Sequence, residues 1–146
     1  MDEHKPVLVD EVLAALAVQP AGIYVDATFG RGGHSARILD ALGSDGRVIA
    51  IDRDPDAIAA GRLRFAQEPR ITLVPGAFGE LAALVRAGAG GQAVNGVLFD
   101  CGVSSPQLDR AERGFSFQAD GPLDMRMDPT RGEAVGLWLA RASTDE

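Results

Sequence analysis

Hydrophobic and polar residues follow two different periods along the first two thirds of the chain. An apolar stripe at helical spacing runs from Val7 to Val18 and is stopped by Pro20. Short β-branched runs then alternate with helical stretches, and Asp54 and Pro55 are a typical cap and first residue of a helix. The pattern predicts strands over 22–27, 47–51, 71–74 and 94–99, and helices over 34–42, 55–65 and 80–87. Strands that alternate with helices imply an α/β fold with a parallel sheet and right-handed crossovers.

The pattern changes after the fourth predicted strand. Residues 101–131 are rich in Gly, Pro, Asp and Arg and show no long period, and one short helix is predicted over 133–142. We therefore predict a core domain over 1–100 and a different segment over 101–146. A doubly wound sheet has about five to seven strands. Because only four are predicted here, we expect this chain to contain an incomplete sheet.

The most informative segment is the glycine-rich stretch Val25–Ser35, which predicts a strand, a tight turn and the start of a helix. Glycine adopts positive φ and lets a ligand approach the backbone closely, and a helix N-terminus offers free N–H groups. Asp52 ends the next strand, about 20 positions after Gly32, the spacing at which a carboxylate binds ribose hydroxyls in dinucleotide sites. These features predict a site for a nucleotide-type cofactor. The alternative is a purely structural glycine turn.

Three further side chains follow predicted strands or the glycine turn. Phe78 follows the third strand, where an aromatic ring either stacks on a purine or fills the core beneath the third helix. Asp100 follows the fourth strand, at the sheet edge where ligands bind, so a functional carboxylate is favoured over a cap of the next turn. His34 either bonds a cofactor or simply begins a helix. Cys101 has no evident partner base, which disfavours a nucleophile.

Composition narrows the class of protein. The chain has 146 residues, a formal net charge of −7 and 46% hydrophobic residues, which is enough for one domain with a real core. The acidic balance disfavours nucleic-acid binding through this surface alone, because phosphate contacts come mostly from Lys and Arg. Its single cysteine excludes an internal disulfide, and His4 and His34 do not make a metal site with it. With no membrane-span or signal-peptide pattern, we predict a cytoplasmic protein.

Five blocks of the sequence, in order, resemble the RsmH (MraW) family of bacterial ribosomal RNA small-subunit methyltransferases. The blocks are 26–35, 50–55, 102–109, 113–117 and 121–128, and the resemblance runs from about His4 to the last residue. It implies the Rossmann-like class I methyltransferase fold with S-adenosylmethionine as cofactor. It also implies methylation of the exocyclic N4 amine of a cytidine in the decoding region of 16S rRNA, within the small ribosomal subunit. No metal, membrane or DNA partner is expected.

The resemblance also assigns roles to individual residues. The place of Asp100 after the fourth strand also makes it a candidate catalytic residue that orients the cofactor or the base, and Cys101 stands where family members tend to carry leucine. Family members are longer and resume the sheet after a helical insert, so 101–146 are expected to hold the start of that insert, and the rest of the domain is expected to be missing. The implied cofactor contacts are Gly32, Gly33, His34, Asp52, Phe78, Asp100 and Gln107, and the candidates for the base pocket are Ser104, Ser105 and Asp124.

Two alternatives to an active methyltransferase remain. An inactive or non-catalytic fragment that binds S-adenosylmethionine shares every one of these motifs, so only activity distinguishes it. A nicotinamide-dependent oxidoreductase uses a similar glycine turn, but the sequence shows no group for hydride transfer after that turn, which disfavours this class.

Overall fold

A parallel four-stranded sheet organises the first of two compact units. The computed structural model describes residues 6–143 of the chain, and these divide into one unit that ends at Cys101 and one that begins at Gly102. The strands are β1 (Ile23–Asp26), β2 (Arg47–Asp52), β3 (Ile71–Pro75) and β4 (Gly96–Leu98). All pairs are parallel, and the strand order is β3-β2-β1-β4. The predicted parallel α/β sheet is confirmed, so the carboxyl ends of all four strands lie at one edge.

Helices connect these strands close to the predicted positions. Asp54 accepts a hydrogen bond from the Asp56 N–H at 3.0 Å and Pro55 occupies the first turn, so the predicted cap is confirmed. The loop expected after β3 contains a short 3₁₀ turn, Phe78–Glu80, that leads directly into the next helix. The helices of this unit are α1 (Val9–Leu16), α2 (Gly33–Ala41), α3 (Pro55–Arg64) and α4 (Leu81–Gly88).

Two predicted elements of the first unit are clearly shorter in the structure. The helix predicted from Val7 to Val18 is limited to α1, because Leu8 and Ala17 on either side of it adopt positive φ values of 54° and 47°. The strand predicted over 94–99 is limited to Gly96–Leu98, because only these three residues pair with β1. The apolar residues on either side of β4 lengthened the predicted strand, but they do not pair with β1.

The core lies on both faces of the sheet, as alternation along its central strands requires. On one face Tyr24 and Val48 pack with Ile38 of α2. On the other face Val25 and Ile49 belong to a cluster that the apolar side of α4 covers. Both central strands are therefore almost fully buried, and each ends in an aspartate, Asp26 or Asp52.

The second unit consists of short elements separated by irregular chain. α5 (Ser105–Asp109) was not predicted, because five residues are too few to show a helical period. The helix predicted over 133–142 is shorter and is α6 (Val135–Leu139), because Ala134 is extended. Arg113 is buried and donates to the carbonyl oxygens of Arg126 and Met127 at 3.2 and 2.9 Å, which ties this unit together. Within residues 6–143 no helix has the length and apolar character that crossing a bilayer requires.

Candidate functional site

The glycine turn lies at the carboxyl edge of the sheet, between β1 and α2. The Phe29 N–H donates to the Ile51 carbonyl at 3.0 Å, and the Gly32 N–H donates to the Phe29 carbonyl at 2.8 Å. Gly30 and Gly32 adopt φ values of +55° and +74°, which favour glycine. The turn is thus attached to β2, and α2 begins at Gly33 with no side-chain hydrogen bond from its N-cap residue Gly32.

Asp52 meets the glycine turn, as its spacing predicted. Its Oδ2 accepts from the Gly30 N–H at 2.7 Å, and its Oδ1 accepts from the Asp54 N–H at 2.8 Å. Burial raises the pKa of Asp52 above its ordinary value, although both N–H groups act to lower it. A carboxylate has about four lone-pair sites, so it keeps acceptor capacity beyond the N–H groups of Gly30, Arg53 and Asp54. The carboxylate is therefore held in one orientation by backbone groups and can still accept a hydrogen bond from a ligand hydroxyl.

A buried contact between Asp26 and Ser35 was missed from sequence. Asp26, the last residue of β1, is 1% exposed and accepts from the Ser35 hydroxyl at 2.7 Å and from the Thr28 N–H at 3.2 Å. Burial raises the pKa of Asp26, and the Ser35 hydroxyl opposes that rise. Both residues belong to the motif that the sequence singled out, but no spacing rule pairs them. The contact ties the end of β1 to the first turn of α2, and so determines the shape of the turn between them.

Ser35→Ala is expected to destabilise the chain by about 1–3 kcal/mol at neutral pH, because the buried Asp26 carboxylate loses a hydrogen bond. A raised pKa means that the folded chain binds this proton more tightly than the unfolded chain, so the stability contributed by Asp26 falls as pH rises above 3.8. Removing the hydroxyl raises the pKa further, so the loss should be smaller near about pH 4 than near about pH 7.

Urea unfolding at the two pH values measures this effect. Ser44→Ala is the matched control, because Ser44 is exposed and its hydroxyl lies 3.4 Å from Asp45. An equal loss at both pH values for Ser35→Ala would contradict the role of the Asp26 charge.

His34 and Asp100 come together beside the turn. His34 Nε2 lies 3.3 Å from Asp100 Oδ2, and the Asp100 N–H donates to Thr28 Oγ1 at 2.7 Å. The His34 side chain is 9% exposed and that of Asp100 is 55% exposed. His34 Nδ1 is buried and has no hydrogen-bond partner within residues 6–143. The carboxylate of Asp100 is thus held at the edge of the sheet while remaining open to a ligand, and His34 contacts it from the first turn of α2.

Phe78 does not fill the core, so the interpretation of this residue as a core side chain beneath the third helix is wrong. Its side chain is 49% exposed and contacts Phe99, which is 47% exposed. The ring centroids are 5.7 Å apart and the rings are nearly perpendicular. Sequence reasoning assigned no role to Phe99, because it appeared only as the last apolar residue of a strand.

The remaining candidate residues belong to the second unit. Gln107 is buried, and its Oε1 accepts from the Ser104 N–H at 2.9 Å, which caps the start of α5. Ser104 and Ser105 are half-buried at that helix start. Asp124 forms an ion pair with Arg126, with 2.6 Å between Oδ2 and Nη2, and this pairing lowers the pKa of Asp124. These contacts give Gln107 and Asp124 local structural roles beside the roles predicted for them.

The remaining sequence predictions concern Cys101, metal ligands and His4. Cys101 is a free, exposed thiol. No group of three or more His, Cys, Asp or Glu side chains within residues 6–143 is arranged to hold a metal ion. His4 lies outside the residues that the structure describes.

Comparison with known proteins agrees with the resemblance found in the sequence. The ribosomal RNA small subunit methyltransferase H of Alteromonas mediterranea is 58% identical over 145 residues, which are 99% of this chain and 46% of that protein. The protein of the same name from Thioalkalivibrio sulfidiphilus is 57% identical over 144 residues, 98% of this chain and 46% of that protein. The chain therefore spans about half the length of the curated relatives that it matches.

A solved structure and a family model complete the comparison. The crystal structure of a putative rRNA-methylase from Clostridium thermocellum has a TM-score of 0.58 at 24% identity, over 68% of this chain and 53% of that one. This likeness concerns the fold alone, and it confirms the predicted Rossmann-like fold. The model of the MraW methylase family matches residues 1–146. The chain belongs to the MraW methylase family.

Proposed function

We propose that the protein is an S-adenosylmethionine-dependent methyltransferase that acts on the RNA of the small ribosomal subunit. The observation that carries this proposal is the meeting of the glycine turn with Asp52 at 2.7 Å, at the carboxyl edge of a parallel sheet. Membership of the MraW methylase family supports it, as do the two relatives named ribosomal RNA small subunit methyltransferase H. Because the chain spans about half of those relatives, the activity of this chain is itself part of the proposal.

The residues at the sheet edge fit the parts of S-adenosylmethionine. Asp52 would accept hydrogen bonds from the two ribose hydroxyls, and the uncapped N–H groups at Gly33 and His34 would attract the carboxylate of the methionine part. The exposed ring of Phe78 would stack on the adenine. The buried and unpartnered Nδ1 of His34 is a further sign of an incomplete polar site. Gly32 and Asp100 complete the proposed cofactor contacts of this unit, and the cofactor contact of Gln107 is proposed from the family resemblance alone.

The proposed substrate is the exocyclic N4 amine of a cytidine in the decoding region of 16S rRNA. The lone pair of this amine is delocalised into the ring, which makes it a poor nucleophile. S-adenosylmethionine, when bound, supplies an electrophilic methyl group on a sulfonium. This chain would contribute chiefly alignment of amine and methyl group, which is worth on the order of 7–11 kcal/mol in favourable cases.

A hydrogen-bond acceptor near the amine helps it to lose a proton as the new bond forms. The carboxylate of Asp100 is a candidate for this acceptor or for orienting the base, because it is 55% exposed at the edge of the sheet. Ser104, Ser105 and Asp124 are candidates for contacts with the base. RNA bases must be unstacked to be reached in this way.

Calorimetric titration of the chain with S-adenosylmethionine, with NAD as the control ligand, tests the cofactor assignment. We expect a micromolar dissociation constant for S-adenosylmethionine and no heat with NAD. A folded chain that binds NAD instead would support the oxidoreductase alternative. A folded chain that binds neither would contradict the cofactor site in this chain. If the protein binds S-adenosylmethionine but transfers no methyl group to small ribosomal subunits, the result would support the non-catalytic alternative.

Asp100→Ala is expected to lower the turnover number about tenfold, less than the roughly 100-fold or more that a fully positioned general acid–base group contributes, because this carboxylate is half-exposed. Methyl transfer from labelled S-adenosylmethionine to small ribosomal subunits measures it. Asp45→Ala is the matched control, because Asp45 is exposed before β2, at the opposite edge of the sheet. Near-normal turnover in the Asp100 variant would count against any part for this carboxylate in the reaction.

A further inference from the structure

Two half-exposed phenylalanines contact each other at the carboxyl edge of the sheet. Phe78 lies in the 3₁₀ turn after β3, and Phe99 follows β4 directly. They are 49% and 47% exposed, whereas Phe29, the core phenylalanine of the same unit, is 3% exposed. Burial of apolar surface therefore does not explain this pair, and both rings remain accessible to a ligand.

The topology shows that this contact is a long-range one. β3 and β4 are the two outer strands in the order β3-β2-β1-β4. With about 4.8 Å between neighbouring strands, they lie roughly 14 Å apart. The chain after β3 must therefore turn back across the sheet before Phe78 can reach Phe99. Because Phe99 directly precedes Asp100, the aromatic pair lies next to the polar groups of the candidate site.

The geometry of the pair leaves an aromatic face open. The ring centroids are 5.7 Å apart and the interplanar angle is 89°, which is an edge-to-face arrangement. In such a pair one ring offers its edge and the other offers one face. Whichever ring offers its edge, Phe78 keeps at least one face that Phe99 does not cover. A purine stacks on a free face of this kind.

We propose that Phe99 is a positioning residue for the purine base, which holds the ring of Phe78 in the orientation that stacks on adenine. The proposal deepens the function proposed above and rests on it. Phe99 restricts rotation of the Phe78 ring about its side-chain torsions, so the ring is ordered before the ligand binds. Preordering of this kind strengthens binding because the ligand no longer has to order the side chain itself. Phe99 acts through Phe78 and need not touch the cofactor.

A double-mutant cycle tests the proposal, with dissociation constants for S-adenosylmethionine and for 5′-methylthioadenosine measured by calorimetry. Phe99→Leu should weaken binding of both ligands by the same factor, about three- to tenfold, because the loss is confined to the adenine end. Phe99→Tyr should restore most of the affinity, because it keeps the ring. Phe78→Leu should weaken binding about tenfold. Adding Phe99→Leu to that variant should cause little further loss, because Phe99 acts through Phe78.

Controls separate this role from a merely structural one. Leu63→Ala removes another exposed apolar side chain, 81% exposed on α3, and should leave both dissociation constants unchanged. The Phe99 variants should unfold at the same urea concentration as the parent chain, because the pair is half-exposed. Additive losses in the double variant, or unchanged affinity in Phe99→Leu, would overturn the proposal. If the parent chain itself fails to bind S-adenosylmethionine, the proposed function fails first, and the two failures are thereby distinguished.

Discussion

Asp52→Ala is expected to weaken S-adenosylmethionine binding about 100-fold while the chain remains folded. A hydrogen bond to a charged acceptor contributes about 1.5–3 kcal/mol, and two ribose hydroxyls would share this carboxylate. A factor of 100 corresponds to about 2.7 kcal/mol, the loss of one to two such bonds. The substitution also frees the N–H groups of Gly30 and Asp54, which the carboxylate now holds. The turn should become less ordered, and this adds to the loss of affinity.

Calorimetric titration of three chains measures this prediction. Asp52→Asn should show an intermediate loss, because its amide oxygen still accepts hydrogen bonds but carries no charge. Asp40→Ala is the control, because Asp40 is an exposed carboxylate of α2 that pairs with Arg37. An unchanged dissociation constant for Asp52→Ala would remove the assignment of Asp52 to the ribose.

The pH dependence of binding has a defined sign. Burial raises the pKa of Asp52, so this carboxylate takes up a proton at a higher pH than an ordinary aspartate does. The ionised form is the better acceptor for ribose hydroxyls. Affinity in the parent chain should therefore fall on acidification while the pH is still above 3.8. The Asp52→Asn variant should not show this fall.

Gly32→Ala is expected to lower the free energy of unfolding by about 2–5 kcal/mol. Gly32 adopts φ +74°, and a residue with a Cβ pays about 1–2 kcal/mol in this region. The new Cβ would also lie 2.6 Å from Phe29 Cε2 and 2.8 Å from Phe65 Cε2. Phe29 cannot move away easily, because Gly61 packs against another side of its ring. A Cβ built on Gly61 would lie 2.6 Å from Phe29 Cε1. Overpacking of this kind adds about 1–3 kcal/mol.

A series of three glycine variants separates the two contributions in urea unfolding. Gly30→Ala has the positive φ but no atom nearer than 3.9 Å, so it should show the backbone cost alone. Gly79→Ala has neither a positive φ nor an atom within 4 Å, so its unfolding should hardly change. If Gly32→Ala proved no less stable than Gly30→Ala, the packing of Phe29 against the glycine turn would not be the cause.

Local patterns predicted most of the fold and the centre of the candidate site. The glycine turn, Asp54 as a helix cap and Asp52 at a strand end were all predicted, because each depends on residues close in sequence or on a recurring spacing. Element ends were less accurate. The ends of α1 depend on positive φ at Leu8 and Ala17, for which the hydrophobic pattern has no signal.

The sequence by itself determined the parallel α/β sheet, the cofactor-type turn and the family of this protein, because backbone periodicity, glycine conformation and motif order are local properties of a chain. Tertiary structure alone decided which side chains meet. Asp26 is tied to Ser35 in the interior, His34 meets Asp100, and Phe78 meets Phe99. The first contact depends on the path of the turn between β1 and α2. The other two depend on strand order and on how connections cross the sheet, and no local pattern of residues encodes the distance between two strand ends.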